Sequence, residues 1–200
     1  MQEAYDAYIA SVRALCPLMT ADEAALLRKG LRAVQYRNDQ LFLEAGEVQR
    51  ELGWVHTGLM RSFYVDAAGN EITVQFVREG CFAADHAALI AGRPSKYSFQ
   101  CIEPTTVVFF SYAHLKEAFD HFPALERYGR IQLEKAMVAQ QQRIESFLFD
   151  SAEKRYADFM KDEPALFNRV SLTHLSSYLG IARQSLSRIR KRIVAVDYVS

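Results

Sequence analysis

Apolar residues in the first thirty positions recur at the intervals of three and four that are typical of α-helices. The segment from Tyr5 to Leu15 follows this spacing until Pro17 interrupts it. Thr20 and Glu23 then have the spacing of a capping box, in which each side chain accepts the backbone N–H of the other residue. Two helices are therefore predicted, and the second is expected to end near Gly30.

Between Val34 and Phe110 the pattern changes to short alternating or β-branched runs that are separated by turn sequences. The turn sequences come at intervals of about ten residues, at 45–47, 57–58, 67–70, 78–80 and 92–94. This spacing predicts an antiparallel β-barrel or sandwich. Within it, residues 59–65 and 71–77 are predicted to pair as a hairpin around a turn at residues 66–70.

Residues 125–149 contain no proline and a single glycine, Gly129, which predicts one long helix. Positions within it follow the alternating four-three spacing of a coiled-coil seam, with a polar residue in the middle: Leu133, Met137, Gln140, Ile144 and Phe147. Such a face is expected either to contact a second copy of the chain or to pack on the chain's own barrel, as predicted for Phe119, Phe122 and Leu125. For the later part of the helix we favour self-association.

The last fifty residues show three shorter helical segments, at 152–161, 172–178 and 182–192. Pro164 follows the first segment, and Gly180 separates the last two, where it can adopt the left-handed conformation of a tight turn. The apolar residues that are expected to pack the last two segments together are Leu175, Leu179, Ile181, Leu186, Ile189 and Ile193. This is the layout of a helix-turn-helix.

Polar side chains remain on the outward face of the last helical segment: Arg183, Gln184, Ser187, Arg188 and Lys191. These residues include the types that read guanine and adenine edges or hold phosphates. A two-helix hairpin used only for packing would show the same glycine and apolar spacing. It would not need arginine and glutamine on the outward face of the helix start, so the pattern favours DNA binding.

The net charge of zero conceals an asymmetry along the chain. From Ser151 onward there are nine Lys and Arg residues against five acidic residues, and five of the nine bases lie between Arg183 and Arg192. Such a cluster is typical of a phosphate-binding surface, although a solvated basic helix face has the same composition. Charge alone leaves these two interpretations open.

Half of the residues are hydrophobic, which is sufficient for a substantial core. The longest apolar runs, such as residues 105–110, are too short to cross a bilayer, and the N-terminus lacks the pattern of a signal peptide. The three cysteines, Cys16, Cys81 and Cys101, are odd in number and widely spaced, which favours a reducing compartment over a disulfide framework. A soluble cytoplasmic protein is therefore predicted.

The sequence offers no pattern for a metal, another cofactor or catalysis. The cysteines form no CxxC pair, and the histidines lack metal-ligand spacing. A barrel enzyme of the cupin type would need two histidines and a carboxylate on adjacent strands, whereas His56 and His86 are isolated. We therefore predict a protein that is not an enzyme and has no cofactor.

Residues 179–191, Leu-Gly-Ile-Ala-Arg-Gln-Ser-Leu-Ser-Arg-Ile-Arg-Lys, resemble the helix-turn-helix of the Crp/Fnr family of bacterial transcription regulators. The earlier motifs occur in the order of that family's cyclic-nucleotide-binding-like barrel, at residues 41–47, 55–61, 66–71 and 76–82. The resemblance covers nearly the whole chain. It implies an α+β fold with a double-stranded β-helix (jelly-roll) sensory domain at 1–122, a dimerisation helix at 123–150 and a winged-helix-type helix-turn-helix domain at 151–200.

The resemblance also implies what the chain binds. The family's base-reading positions fall on Arg183, Gln184 and Arg188, and Ser185 and Lys191 become the expected phosphate contacts. The implied partners are double-stranded DNA with a near-palindromic operator, a second copy of the chain and RNA polymerase. A sequence-specific transcription regulator is therefore the expected function.

The phosphate-binding part of the sensory domain departs from the family's pattern. Members that bind cyclic AMP hold its phosphate with a Phe-Gly-Glu loop followed by an Arg-Ser or Arg-Thr pair, since the anion needs backbone amides and a guanidinium partner. Here residues 80–86 read Gly-Cys-Phe-Ala-Ala-Asp-His, and residues 93–100 read Arg-Pro-Ser-Lys-Tyr-Ser-Phe-Gln. We therefore expect no response to cyclic AMP.

The sensory domain is then expected either to bind an unidentified small molecule or to have lost ligand control. A pocket for an effector is predicted around Phe82, Asp85, Arg93, Lys96 and Tyr97. The alternative function is a signalling module that binds a cyclic nucleotide or another small molecule. A second departure is that only residues 194–200 follow the recognition helix, so the usual wing is predicted to be short or missing.

Overall fold

The computed structural model describes the backbone of residues 1–197 and the side chains of residues 1–192. The chain divides into two compact units. The first consists of Met1–Tyr64 and Gln75–Met137, and the second consists of Val65–Val74 and the chain from Val138 onward. The two units are described separately below.

The first unit begins with the two predicted helices, α1 (Gln2–Leu15) and α2 (Ala21–Lys29). The predicted capping box is confirmed, because Thr20 Oγ1 accepts the Glu23 N–H at 3.2 Å and Glu23 Oε2 accepts the Thr20 N–H at 2.6 Å. These two bonds satisfy backbone N–H groups that have no partner within the helix. The start of α2 is therefore fixed by local chemistry.

The described residues then form eight strands in two four-stranded sheets, ordered β1-β8-β3-β6 and β2-β7-β4-β5. Strand β8 pairs antiparallel with β1 and β3, and β7 pairs antiparallel with β2 and β4, which confirms the predicted antiparallel architecture. The strands are β1 (Arg32–Tyr36), β2 (Leu41–Leu43), β3 (Glu51–Thr57), β4 (Met60–Val65), β5 (Glu71–Val77), β6 (Phe82–Ala83), β7 (Ser98–Cys101) and β8 (Thr105–Ser111). The predicted hairpin corresponds to β4 and β5, with the Asp66 N–H donating to the Asn70 carbonyl at 2.9 Å.

Two hydrophobic cores hold the first unit together. One contains inward residues of both sheets, among them Val55, Phe99 and Val107. The other contains Trp54, Val108 and Phe110 with residues of α1 and α2, together with helices α4 (Tyr112–His121) and α5 (Pro123–Phe149). A short helix, α3 (His86–Ala91), follows β6.

Helix α5 is the predicted long helix, and it starts at a proline, as suits the first helical position. It buries only Leu125 and Tyr128. Phe119, Phe122 and Leu125 belong to the same hydrophobic core as the outer face of the first sheet, which confirms the prediction that they pack on the barrel.

The C-terminal part contains α6 (Ala152–Asp162), a 3-10 turn at Pro164–Leu166, α7 (Leu172–Leu179) and α8 (Arg183–Asp197). The three predicted helical segments are therefore present, and α8 is longer than predicted. Within the described backbone, residues 194–197 continue α8. The prediction of a short or missing wing concerns residues that partly lie outside the described ones, and it stays a prediction.

Candidate nucleic-acid interface

Helices α7 and α8 pack as the sequence predicts. Ser171 caps α7, with its Oγ accepting the His174 N–H at 3.1 Å. Gly180 ends α7 with φ +62°, and its N–H donates to carbonyls of the last turn of α7. The predicted packing residues Leu175, Leu179, Ile181, Leu186 and Ile189 are all buried, and the side chain of Ile193 lies outside the described residues.

Two arginines hold the turn between α7 and α8. Arg143 Nη2 donates to the Tyr178 carbonyl at 2.8 Å, and Arg155 Nε donates to the Leu179 carbonyl at 2.9 Å. The C-terminal carbonyls of a helix carry partial negative charge, so guanidinium groups stabilise them. The sequence analysis missed both residues, because nothing in the local pattern links an arginine to a carbonyl that lies 35 or 24 positions away.

Arg143 is half-buried in this position. Its guanidinium lies 4.0 Å from the ring centroid of Tyr178, in a cation–π contact. Burial lowers the pKa of Arg143 from its ordinary value, and the neighbouring Tyr178 acts in the opposite direction. The charged group therefore contributes to an internal contact of the C-terminal unit.

The start of α8 presents the predicted DNA-binding side chains to solvent. Five of them are exposed, namely Arg183, Gln184, Ser185, Arg188 and Lys191, and Ser187 is half-buried. Since α-helical residues are about 100° apart around the axis, Gln184 and Arg188 share a face, whereas Arg183 and Arg188 are separated by about 140°.

The five basic residues between Arg183 and Arg192 fall into two groups, those with a partner and those without one among the described side chains. Arg190 lies over the ring of Phe167 at 4.8 Å, and Arg192 forms an ion pair with Glu153 at 3.0 Å. Arg183, Arg188 and Lys191 make no ion pair or side-chain hydrogen bond with the residues whose side chains the structure describes. Three cationic side chains on the start and middle of one helix therefore remain available to an anionic partner.

The predicted effector residues do not surround one cavity. Phe82 packs with the helix-covered core and Tyr97 with the core between the sheets. Arg93 and Lys96 are exposed. Asp85 is 8% exposed and caps α3, with its carboxylate accepting the Ala88 N–H at 3.1 Å.

Asp85 also accepts hydrogen bonds from the loop that follows α3. Its Oδ2 accepts the Ser95 hydroxyl at 3.2 Å and the Lys96 N–H at 3.3 Å. Only Asp85 and the backbone of Lys96 are thus brought together from the predicted set. Because the Asp85 carboxylate accepts these two hydrogen bonds, the Ser95 hydroxyl and the Lys96 N–H are not available to a bound anion.

The predicted seam residues of α5 are all exposed, with Met137 at 69%. The ring of Phe147 also lies against the helix-turn-helix, where the Arg143 guanidinium is 4.9 Å from its centroid. The sequence analysis missed three further apolar residues that α5 exposes, Val138, Leu148 and Phe149.

Within the described part of the chain, no helix is both long and apolar enough to span a membrane. The described side chains also contain no cluster of three or more His, Cys, Asp or Glu residues that could hold a metal ion.

Comparison with known proteins identifies the class of domain and the fold. Residues 33–122 match the family model of the cyclic nucleotide-binding domain. FixK2 from Bradyrhizobium japonicum is 17% identical, with 84% of this chain and 86% of that chain covered and a TM-score of 0.74. CLP from Xanthomonas campestris, described as a c-di-GMP responsive global regulator, is 16% identical, with 89% and 93% covered and a TM-score of 0.72.

A protein from Eubacterium rectale that is assigned to the Crp/Fnr family is 14% identical, with 90% of this chain and 86% of that chain covered and a TM-score of 0.69. No curated protein sequence matches the chain. Residues 33–122 are therefore similar to cyclic nucleotide-binding domains. The fold of the chain is that of the Crp/Fnr transcription regulators, as the sequence resemblance implied.

Proposed function

We propose that this protein is a sequence-specific DNA-binding transcription regulator that acts as a homodimer in the bacterial cytoplasm. The observation that carries the proposal is the exposed face of α8, where Gln184 lies beside three bases that have no partner among the described side chains, Arg183, Arg188 and Lys191. Arginine and glutamine recognise guanine and adenine through paired hydrogen bonds, and lysine holds phosphate.

The anchored turn supports this assignment. Recognition requires a helix that is held rigidly, because side chains must reach base edges in a fixed register. Gly180, Arg143 and Arg155 fix the point at which α8 begins. A surface helix that served only for solubility would not need its first turn to be held in this way.

Helix α5 supports the homodimer. Beyond Tyr128 it contains no buried residue, and it exposes a series of large apolar side chains that water would solvate poorly. Their four-three spacing suits a second copy of the same helix related by a two-fold axis. Such an axis would present two α8 helices to DNA about 34 Å apart, one helical turn of the duplex. RNA polymerase is the further partner that we propose for the DNA-bound dimer.

A binding selection from randomised duplex DNA tests the proposal. We expect the full-length protein to enrich a near-palindrome with half-sites about one helical turn apart. The matched control is the variant Gln184→Ala/Arg188→Ala, which keeps the fold of α8 and should lose the enrichment. If the wild type enriches no sequence, or if both proteins enrich the same one, the proposed function is wrong.

We also propose that the regulator does not respond to cyclic AMP. Asp85 takes the Ser95 hydroxyl and the Lys96 N–H, and its negative charge would repel a phosphate at the same place. Calorimetric titration with cyclic AMP is therefore expected to give no saturable heat. A dissociation constant near one micromolar, about −8 kcal/mol, would contradict this and favour a cyclic-nucleotide-binding signalling module instead.

A further inference from the structure

Side chains from two other helices complete the C-terminal end of α7. The last four carbonyls of an α-helix have no partner within the helix. Backbone N–H groups of the turn before α8 satisfy two of the four. The other two belong to Tyr178 and Leu179, and they accept the guanidinium groups of Arg143 on α5 and Arg155 on α6. The turn that precedes α8 is therefore tied to both of these helices.

The two guanidinium groups flank one aromatic ring, that of Phe147 on α5. The Arg143 guanidinium lies 4.9 Å from the ring centroid, and the Arg155 guanidinium lies 5.1 Å from it. A planar guanidinium can stack on a ring and donate hydrogen bonds at its edge at the same time. Phe147 therefore helps to hold both arginines where they reach the carbonyls of α7.

Arg155 also bridges the ends of two helices. Its Nη1 donates to the carbonyl of Asp150 at 2.7 Å, directly after the last residue of α5, and its Nε donates to the carbonyl of Leu179. Residues 138–149 of α5 belong to the same compact unit as α6, α7 and α8. Within this unit, Arg143, Phe147 and Arg155 therefore hold the start of α8 against the end of α5.

We propose that Arg143 and Arg155 are positioning residues that set the spacing between the two half-sites of the operator. The inference rests on the proposed DNA-binding dimer, in which Ile144 belongs to the seam on the same part of α5. The seam would fix α5 relative to the two-fold axis, and the two arginines would fix α8 relative to α5. The distance of each α8 from the axis would then be determined, although neither arginine contacts a base.

A fixed distance has a measurable consequence for DNA binding. One added base pair moves a half-site by about 3.4 Å along the duplex and by about 35° around it. Two α8 helices that are held rigidly cannot follow this displacement, so the dimer would no longer engage both half-sites at once. If the arginines no longer held the turn, each α8 could adjust, and several spacings would be bound.

The test compares the affinity of the full-length protein for three duplexes: the selected palindrome, and the same palindrome with one base pair added or removed between the half-sites. We expect the wild type to bind the altered duplexes about tenfold more weakly. Arg143→Met and Arg155→Met keep an unbranched apolar side chain without the donors, and they should show a difference of about threefold or less. Each ratio is measured with one protein, so it does not depend on how much of a variant is folded.

Arg130→Met is the matched control. Arg130 is an exposed arginine of α5 that pairs with Glu134 of its own helix, so its loss should leave the wild-type ratio unchanged. The base preference within each half-site should be the same in all four proteins, because the arginines position α8 and do not read bases. The inference is overturned if the wild type binds the three duplexes equally. It is also overturned if Arg143→Met and Arg155→Met discriminate between the duplexes as strongly as Arg130→Met does.

A measurement without DNA separates this inference from the proposed function. Amide hydrogen exchange at Gly180 and Ile181 should be about fivefold faster in Arg143→Met than in Arg130→Met, because the turn would open more readily. Equal exchange would show that Arg143 does not hold the turn. A wild type that selects no palindrome would instead overturn the proposed function, whatever the exchange rates are.

Discussion

The ring of Phe147, near the end of α5, lies against Gly180 in the turn between α7 and α8. A Cβ built on Gly180 would lie 2.6 Å from Cε1 of Phe147, closer than real Cβ atoms approach. Gly180 also has φ +62°, a conformation that side chains disfavour. Glycine is therefore required at this turn for its conformation and, independently, for space.

These two requirements can be separated by comparing Gly180 with Gly92. Gly92 ends α3 with φ +62° and ψ +29°, close to the φ +62° and ψ +38° of Gly180, but a Cβ there would meet nothing within 4 Å. We expect Gly92→Ala to lower the free energy of unfolding by about 1 to 2 kcal/mol. Gly180→Ala should lower it by about 2 to 5 kcal/mol, since overpacking adds to the conformational cost.

Urea unfolding followed by far-UV circular dichroism measures both changes. Adding Phe147→Leu to Gly180→Ala should recover part of the loss, because the smaller side chain leaves room for the methyl group. Equal losses for the two glycine variants, with no recovery in the double variant, would show that Phe147 does not restrict the turn.

The apolar face of α5 gives a prediction about assembly. Replacing Met137 and Ile144 together by Asp should produce monomers and weaken binding to a palindromic duplex, because charges buried in the seam would cost several kcal/mol. The matched control is Lys135→Asp/Gln142→Asp, which adds carboxylates to exposed positions of the same helix away from the predicted seam. Light scattering at tens of micromolar protein measures the assembly. A dimeric Met137→Asp/Ile144→Asp variant, or a monomeric wild type, would show that the seam is wrongly placed.

Features that depend on neighbouring positions were predictable from the sequence. The capping box of Thr20 and Glu23, the β4–β5 hairpin and the left-handed Gly180 all follow from interactions across a few residues. The buried faces of α7 and α8 follow from helical periodicity. Each of these features is therefore determined by interactions between residues that are at most one or two helical turns, or one reverse turn, apart in the sequence.

Features that depend on distant positions were not predictable in this way. Arg143 and Arg155 donate hydrogen bonds to backbone carbonyls that are distant in the sequence, and no local sequence pattern indicates this role. Phe82 and Tyr97 were predicted to line one effector pocket. Phe82 lies on β6 of the first sheet and packs into the helix-covered core, whereas Tyr97 directly precedes β7 of the second sheet and packs into the core between the sheets. A small apolar cavity lined by residues of β3, β6, β8, α3, α4 and α5 likewise exists only because the tertiary fold brings these elements together.

His86 predicts how the stability of the first unit depends on pH. Burial lowers its pKa below the ordinary value of 6.5, and Asp85 opposes the shift. Above pH 6.5 the imidazole is neutral in both states, so it makes no difference to stability. Below that pH the unfolded chain binds the proton first, and the free energy of unfolding falls until the pH reaches the lowered pKa of the folded state.

Urea unfolding between about pH 7.5 and pH 5, followed by the fluorescence of the single tryptophan, Trp54, measures this decline because Trp54 lies in the same unit. His86→Gln should flatten the decline, whereas His114→Gln, at an exposed position, should leave the profile of the wild type. If the His86→Gln and wild-type profiles have the same slope, protonation of His86 does not govern the acid sensitivity.

The central claim is that the outward face of α8 reads DNA sequence, and the most direct test compares three substitutions on this helix. Arg188→Ala should cost about 1 to 3 kcal/mol of binding free energy and relax the preference at one base pair per half-site. Lys191→Ala should weaken all sequences alike and lower the salt slope by about one unit for each phosphate that the lysine no longer neutralises. Arg192→Ala removes the same charge from a residue that is already paired with Glu153, so it is the control for charge alone.

The measurement is a binding selection on randomised half-sites, run with the wild type and the three variants at two salt concentrations. The account predicts a relaxed base preference in Arg188→Ala only, and a uniform loss of affinity in Lys191→Ala. An unchanged preference in Arg188→Ala would remove Arg188 from the residues that read bases. Unchanged affinity in both Arg188→Ala and Lys191→Ala would mean that this face of α8 does not contact DNA.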